Sequence, residues 1–80
     1  MHKMKVNVLI FGQLKEITGA GAMMIEDVSD TDQLISQMKS KYPELSDSKF
    51  VISVDKKIIN ENVELKGGST IALLPPFSGG

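Results

Sequence analysis

The sequence predicts an α+β fold: one mixed sheet, one main helix packed on one of its faces, and an extended tail at the C-terminal end. Three observations predict it. The first and last strand-like runs, KVNVLIF (5–11) and TIALLP (70–75), are the most apolar in the chain. One stretch, SDTDQLISQMKSKYP (29–43), carries helical spacing with a start signal and a stop signal. Two strands precede that helix and further strands follow it, which is the α+β order.

The elements follow from local chemistry. In 5–11, Val6, Val8 and Ile10 alternate with Asn7, Leu9 and Phe11, so one face is wholly apolar and the other mostly so. GQLKEITG (12–19) sits between two glycines, and Leu14 and Ile17 are spaced for a short helical turn. AMMIEDV (22–28) reads as a second strand whose facing the pattern leaves open. Ser29, Asp30 or Thr31 can cap the main helix, because each offers a side-chain oxygen to the unpaired N–H groups of the first turn. Asp30 and Gln33 have capping-box spacing. Leu34, Ile35, Met38 and Tyr42 share one helical face. Pro43 ends the helix, since the residue before a proline is pushed out of the α region. FVISVD (50–55) reads as a third strand, DKK as a turn, IIN as a short returning strand, ENVEL as a loop or irregular helical turn, and KGGS (66–69) as a turn. Strands buried on both faces are the most apolar, so the first and last strands are expected side by side at the sheet centre. That arrangement is the β-grasp, the ubiquitin-like architecture.

Eighty residues make a single domain with one thin core. The chain is 41% hydrophobic and 24% charged, which fits a folded globule and not a disordered chain. Its net charge of −1 gives no footprint for nucleic acid or an anionic membrane surface. No apolar run approaches the ~20 residues of a bilayer span, and no signal-like segment follows the charged start. The expected location is therefore the cytoplasm. Met4 stands as an alternative start. The absence of cysteine removes disulfides, thiolate ligands and a thiol nucleophile.

Side-chain chemistry is sparse. His2, the single histidine, lies in an end expected to be loose, and no Ser-His-Asp set can be built on it. Asp27, Asp30 and Asp32 cluster at a helix start, where negative charge suits the dipole, and capping is the expected role. GAG (19–21) and KGGS lack the strand-to-helix context of a phosphate loop and read as turns. No metal or cofactor site is expected on the chain.

The remaining candidate is the tail, ALLPPFSGG. Pro75 and Pro76 fix φ and cannot donate to a sheet, so they end the last strand and hold the chain extended. From Pro75 to Gly80 it reaches at most roughly 20 Å. Gly79 and Gly80 lack a Cβ and pass through a channel that a side chain would block. The tip then offers one reactive group, the α-carboxylate of Gly80, which is inert until a partner activates it with ATP.

KVNVLIFGQLKEITG and ALLPPFSGG resemble the opening and ending of the molybdopterin synthase small subunits, the MoaD-type sulfur carriers. The resemblance covers nearly all of 4–80. Its specific parts are the two ends, and the turn KGGS lacks an acidic residue often seen there. The resemblance implies a ubiquitin-like carrier of sulfur, a sulfur-donating subunit with no active site of its own. An adenylating enzyme similar to ubiquitin-activating enzymes would activate Gly80 with ATP, and a sulfur donor protein would supply a terminal thiocarboxylate. The tail would enter a pocket of the large synthase subunit and pass sulfur to cyclic pyranopterin monophosphate, making the molybdopterin dithiolene of the molybdenum cofactor. The complex implied is a heterotetramer of two small and two large subunits. Gly80 would bear the sulfur, Gly79 would be the second narrow residue, and Pro75, Pro76, Phe77 and Ser78 would line the inserted segment. Phe11 and Leu74, on the sheet face away from the helix, would dock on partners. A carrier for another pathway such as thiamin, a protein modifier joined through Gly80, and a plain interaction module with a frayed end are the alternatives.

Overall fold

In the computed structural model, residues 5–76 are described. Five strands form one sheet in the order β2-β1-β5-β3-β4. β1 (Lys5–Ile10) pairs antiparallel with β2 (Ala22–Glu26) and parallel with β5 (Thr70–Leu74). β3 (Val51–Val54) pairs antiparallel with β5 and with the short edge strand β4 (Lys57–Ile59). The two most apolar strands are thus neighbours inside the sheet, with β5 at its centre. Helix α1 (Leu14–Thr18) lies in the β1–β2 connection, and α2 (Thr31–Lys41) follows β2.

One side of the sheet forms the core. Val6, Val8 and Ile10 from β1 and Ile71 and Leu73 from β5 are buried in one cluster with Leu34 and Met38 of α2. Ile35 and Tyr42 pack at its margin. Burial on this scale stabilises by roughly 1.5–3 kcal/mol per large side chain.

Asp30 is the helix cap: its Oδ1 accepts from the backbone N–H of Gln33 at 2.9 Å. The reciprocal arm lands one residue earlier than in a capping box, because Gln33 Oε1 accepts from the N–H and hydroxyl of Ser29 at 2.9 and 3.0 Å. A second cap comes from far along the chain. Asn62 Oδ1 accepts from the backbone N–H of Asp32 at 2.9 Å and from the Thr31 hydroxyl at 3.1 Å. The Val63 N–H in turn donates to Thr31 Oγ1 at 2.9 Å. ENVEL is therefore a loop that ties itself to the start of α2, with Glu64 bridged to Asp30.

Two details differ from the sequence expectation, and a third gives the expected turn its type. β2 ends at Glu26 and not at Val28, because Asp27 takes φ 63°, a left-handed conformation that Asp tolerates. That bend interrupts the alternation and lets Val28 enter the core. Pro43 stops α2 as expected, then opens a 3-10 helix over Pro43–Asp47 whose Leu45 is buried. The β3–β4 turn places Asp55 and Lys56 at φ 48° and 74°, the two positive values of a type I′ hairpin turn, whose twist matches its strands.

Candidate functional site

The face of the sheet turned away from α2 carries the residues that alternate with the core positions of β1 and β5. Register places Leu9 beside Ala72 and Ser53 beside Ala72, and Leu74 beside Val51. Phe11 continues the β1 alternation, and its N–H donates to the Leu73 carbonyl at 3.1 Å. Asn7, Leu9 and Phe11 therefore share this face with Thr70, Ala72 and Leu74. The small residues Ala72 and Ser53 leave a depression of about 370 Å³, rimmed by Leu9, Phe11, Asp55 and Lys56. The exposed large apolar side chains among the described residues are Phe11 at 43%, Met24 at 61% and Ile58 at 59%. Met24 pairs with Asn7 and Ile58 with Ser53, so both belong to this face as well. Their exposure is not legible in the sequence. Strand alternation alone does not tell an inward methionine from an outward one when MM occurs in a row.

The tail leaves from one end of that surface. β5 ends at Leu74, and Pro75 and Pro76 follow it out of the sheet. Pro75 is half-buried and Pro76 exposed. The root of the tail lies between α1, through Gln13, Leu14, Glu16 and Ile17, and the Ser48–Lys49 segment. The turn between β1 and α1 meets it directly. Gly12 has φ +61°, and a Cβ built on it would stand 2.8 Å from Cγ of Pro75. In the sequence, Gly12 marks only the start of the short helix. Phe77, Ser78, Gly79 and Gly80 lie outside the described residues.

The structure thus brings Phe11, Leu74, Pro75 and Pro76 together at one end of the sheet. A strand that emerges from the centre of a rigid sheet gives an appended segment a fixed origin. An apolar face next to that origin gives a partner something to hold. No helix of the described residues is long and apolar enough to cross a membrane.

A model of the ThiS family matches residues 8–80. The chain belongs to the ThiS family. The match takes in residues 8–19 of the opening stretch and the whole of ALLPPFSGG. A molybdopterin synthase sulfur carrier subunit of Dictyostelium discoideum is 32% identical, over 91% of this chain and 93% of that protein. In a solved complex of subunits 1 and 2 of molybdopterin-converting factor from Helicobacter pylori 26695, one chain is 31% identical. It superposes with a TM-score of 0.70 over 96% of this chain and 100% of its own length. The small archaeal modifier protein 1 of Methanosarcina acetivorans superposes with a TM-score of 0.81 over the whole of both chains. Its 23% identity makes that a likeness of fold. The ubiquitin-like β-grasp is accordingly the architecture of this family member.

Proposed function

We propose that this chain is the sulfur-carrying small subunit of a molybdopterin synthase. The observation that carries the reading is the handover at Leu74: the central strand of the sheet runs straight into Pro75-Pro76, and four residues later the sequence reads Gly79-Gly80. The likeness to a chain of a two-subunit molybdopterin-converting factor supports a large-subunit partner.

In this reading the chain supplies a substrate and a handle. A ubiquitin-activating-like adenylating enzyme joins the Gly80 carboxylate to AMP from ATP and releases pyrophosphate. An acyl phosphate of this kind is electrophilic where the free carboxylate is not. Persulfide sulfur of a donor protein then attacks the acyl carbon and displaces AMP, and a thiol reduces the resulting acyl disulfide to a terminal thiocarboxylate. The outer sheet face, with Phe11 and Leu74, docks on the large subunit. Pro75, Pro76, Phe77 and Ser78 span the distance to its pocket, and Gly79 and Gly80 pass the narrow part. There the thiocarboxylate sulfur bonds to cyclic pyranopterin monophosphate, and water cleaves the acyl–sulfur bond and returns the Gly80 carboxylate. The chain binds no cofactor of its own, and the assembly is a cytoplasmic heterotetramer of two small and two large subunits. Proximity accounts for the division of labour, because a tethered sulfur reacts as if at very high local concentration.

The test has two steps. Intact-mass spectrometry of the protein from native cells reads the terminus: exchange of one oxygen for sulfur supports a carrier, whereas lysine adducts of the tail support a modifier. Thiocarboxylated protein is then mixed with a candidate large subunit and the cyclic pterin precursor. Molybdopterin is the expected product, and its absence with active large subunit rejects the reading.

A further inference from the structure

Gly12 and Pro75 are distant in sequence and nearly touch in space. The contact is tighter than a side chain permits. A Cβ on Gly12 would stand 2.8 Å from Cγ of Pro75, 3.4 Å from its Cδ and 3.7 Å from its Cβ. Ordinary carbon contacts are about 3.5–4.0 Å. A long flexible side chain would swing aside, but a proline ring is closed onto its own backbone nitrogen. A change of ring pucker moves Cγ and leaves Cδ in place. Either the ring or one of the two backbones therefore has to give at Cγ.

The backbone at that point is the origin of the tail. The Leu73 carbonyl accepts from the Phe11 N–H at 3.1 Å, which fixes β5 one residue before Leu74. The turn on the other side is fixed too: the Lys15 N–H donates to the Gly12 carbonyl at 3.2 Å and the Glu16 N–H to that of Gln13 at 3.0 Å. Two held backbones therefore press on each other through one missing side chain.

We infer that Gly12 is a positioning residue for the tail: by leaving room for Pro75, it sets the direction in which the chain departs from the sheet. The inference rests on the sulfur-carrier reading for its functional consequence. The size of the effect follows from the lever. Restoring ordinary contact needs a retreat of roughly 0.7 Å at Pro75. Taken up over the two residues from Leu73, this is a swing of about 0.1 radian in the direction in which the chain leaves the sheet. Catalytic rates are sensitive on this scale, because a misplacement of about 1 Å can cost on the order of 100-fold.

The chain contains its own control. Gly19, at the other end of α1, has φ +76° and nothing within 4 Å of where its Cβ would stand. Gly12→Ala and Gly19→Ala therefore impose the same kind of backbone strain, and only the first meets Pro75. Pro75→Ala removes Cγ and Cδ and leaves a Cβ at ordinary distance. The thiocarboxylate is installed chemically on full-length protein, so that activation is bypassed, and sulfur transfer is measured with the large subunit and the cyclic pterin. Gly12→Ala is expected to lower kcat at least ~10-fold with KM within about twofold. Gly19→Ala is expected to match wild type, and Gly12→Ala/Pro75→Ala to match Pro75→Ala alone. Residual dipolar couplings of the Cα–Hα bonds of Pro75 and Pro76 are expected to change in Gly12→Ala and not in Gly19→Ala. Equal kcat in the two alanine variants, or couplings that do not move, overturns the inference. Wild-type protein that transfers no sulfur to an active large subunit removes the carrier reading instead. The two failures are told apart because in the second the couplings still move.

Discussion

Phe11→Ala tests whether the outer sheet face is the docking surface. Phe11 is 43% exposed although it sits at the end of a central strand. A fully buried aromatic side chain covers roughly 200 Å², so a partner that closes over Phe11 removes on the order of 85 Å² more from water. At about 25 cal/mol per Å², that is roughly 2 kcal/mol, or about 30-fold in Kd. The variant also loses contacts made within the fold, so urea unfolding must first show that it is folded at the assay temperature. Titration calorimetry against the large subunit then reads Kd directly. In sulfur transfer the loss appears in KM, and kcat at saturation holds, because docking is made equally in the ground and transition states. A folded variant that binds within about twofold of wild type refutes the reasoning, because an exposed aromatic that a partner covers has to register in Kd.

Three further substitutions test other links. Gly79→Val is expected to leave the unfolding midpoint unchanged and to abolish sulfur transfer, and surviving transfer removes the narrow-channel reading of the tip; deletion of Gly80, which withdraws the reactive carbon by one residue, is expected to be as severe. Asn62→Ala removes the acceptor shared by the Asp32 N–H and the Thr31 hydroxyl, and urea denaturation should show a loss of roughly 1–2 kcal/mol with an unchanged m-value. Leu73→Ala, at a fully buried position in the centre of the core, should cost roughly 2–5 kcal/mol, and a loss below ~1 kcal/mol would show that this strand does not carry the core.

The parts of the fold legible in the sequence are those whose causes are local. Two-sided apolar character in 5–11 and 70–75 placed both strands inside the sheet. Asp30 with Gln33 placed the start of α2, and Pro43 its end. The end of the last strand was legible for the same reason, since Pro75 and Pro76 act on their own backbone. What was not legible depends on residues brought together only by folding. Asn62 reaches the start of a helix 30 residues earlier, and nothing in ENVEL marks it as a cap. Val28 turns inward because Asp27 adopts a left-handed φ, an option that Asp has anywhere and takes in few places. The exposure of Met24 and Ile58 follows from edge pairing with Asn7 and Ser53, which strand patterns alone do not specify.

Phe11 and Gly12 bring these points to one place. They are adjacent in the chain, at the end of a central strand, and their side-chain choices are opposite. Phe11 is large where the sheet faces outward, and Gly12 is bare where the chain turns beneath Pro75. In the carrier reading the first holds the partner and the second aims what is delivered to it. Their alanine variants should therefore divide the kinetics, Phe11→Ala raising KM at constant kcat and Gly12→Ala lowering kcat at constant KM. Holding requires area, and aiming requires that a backbone come close enough to be touched. A single turn that served only to reverse the chain would give neither result, and both substitutions would then act through stability alone, with kcat and KM of the folded fraction unchanged.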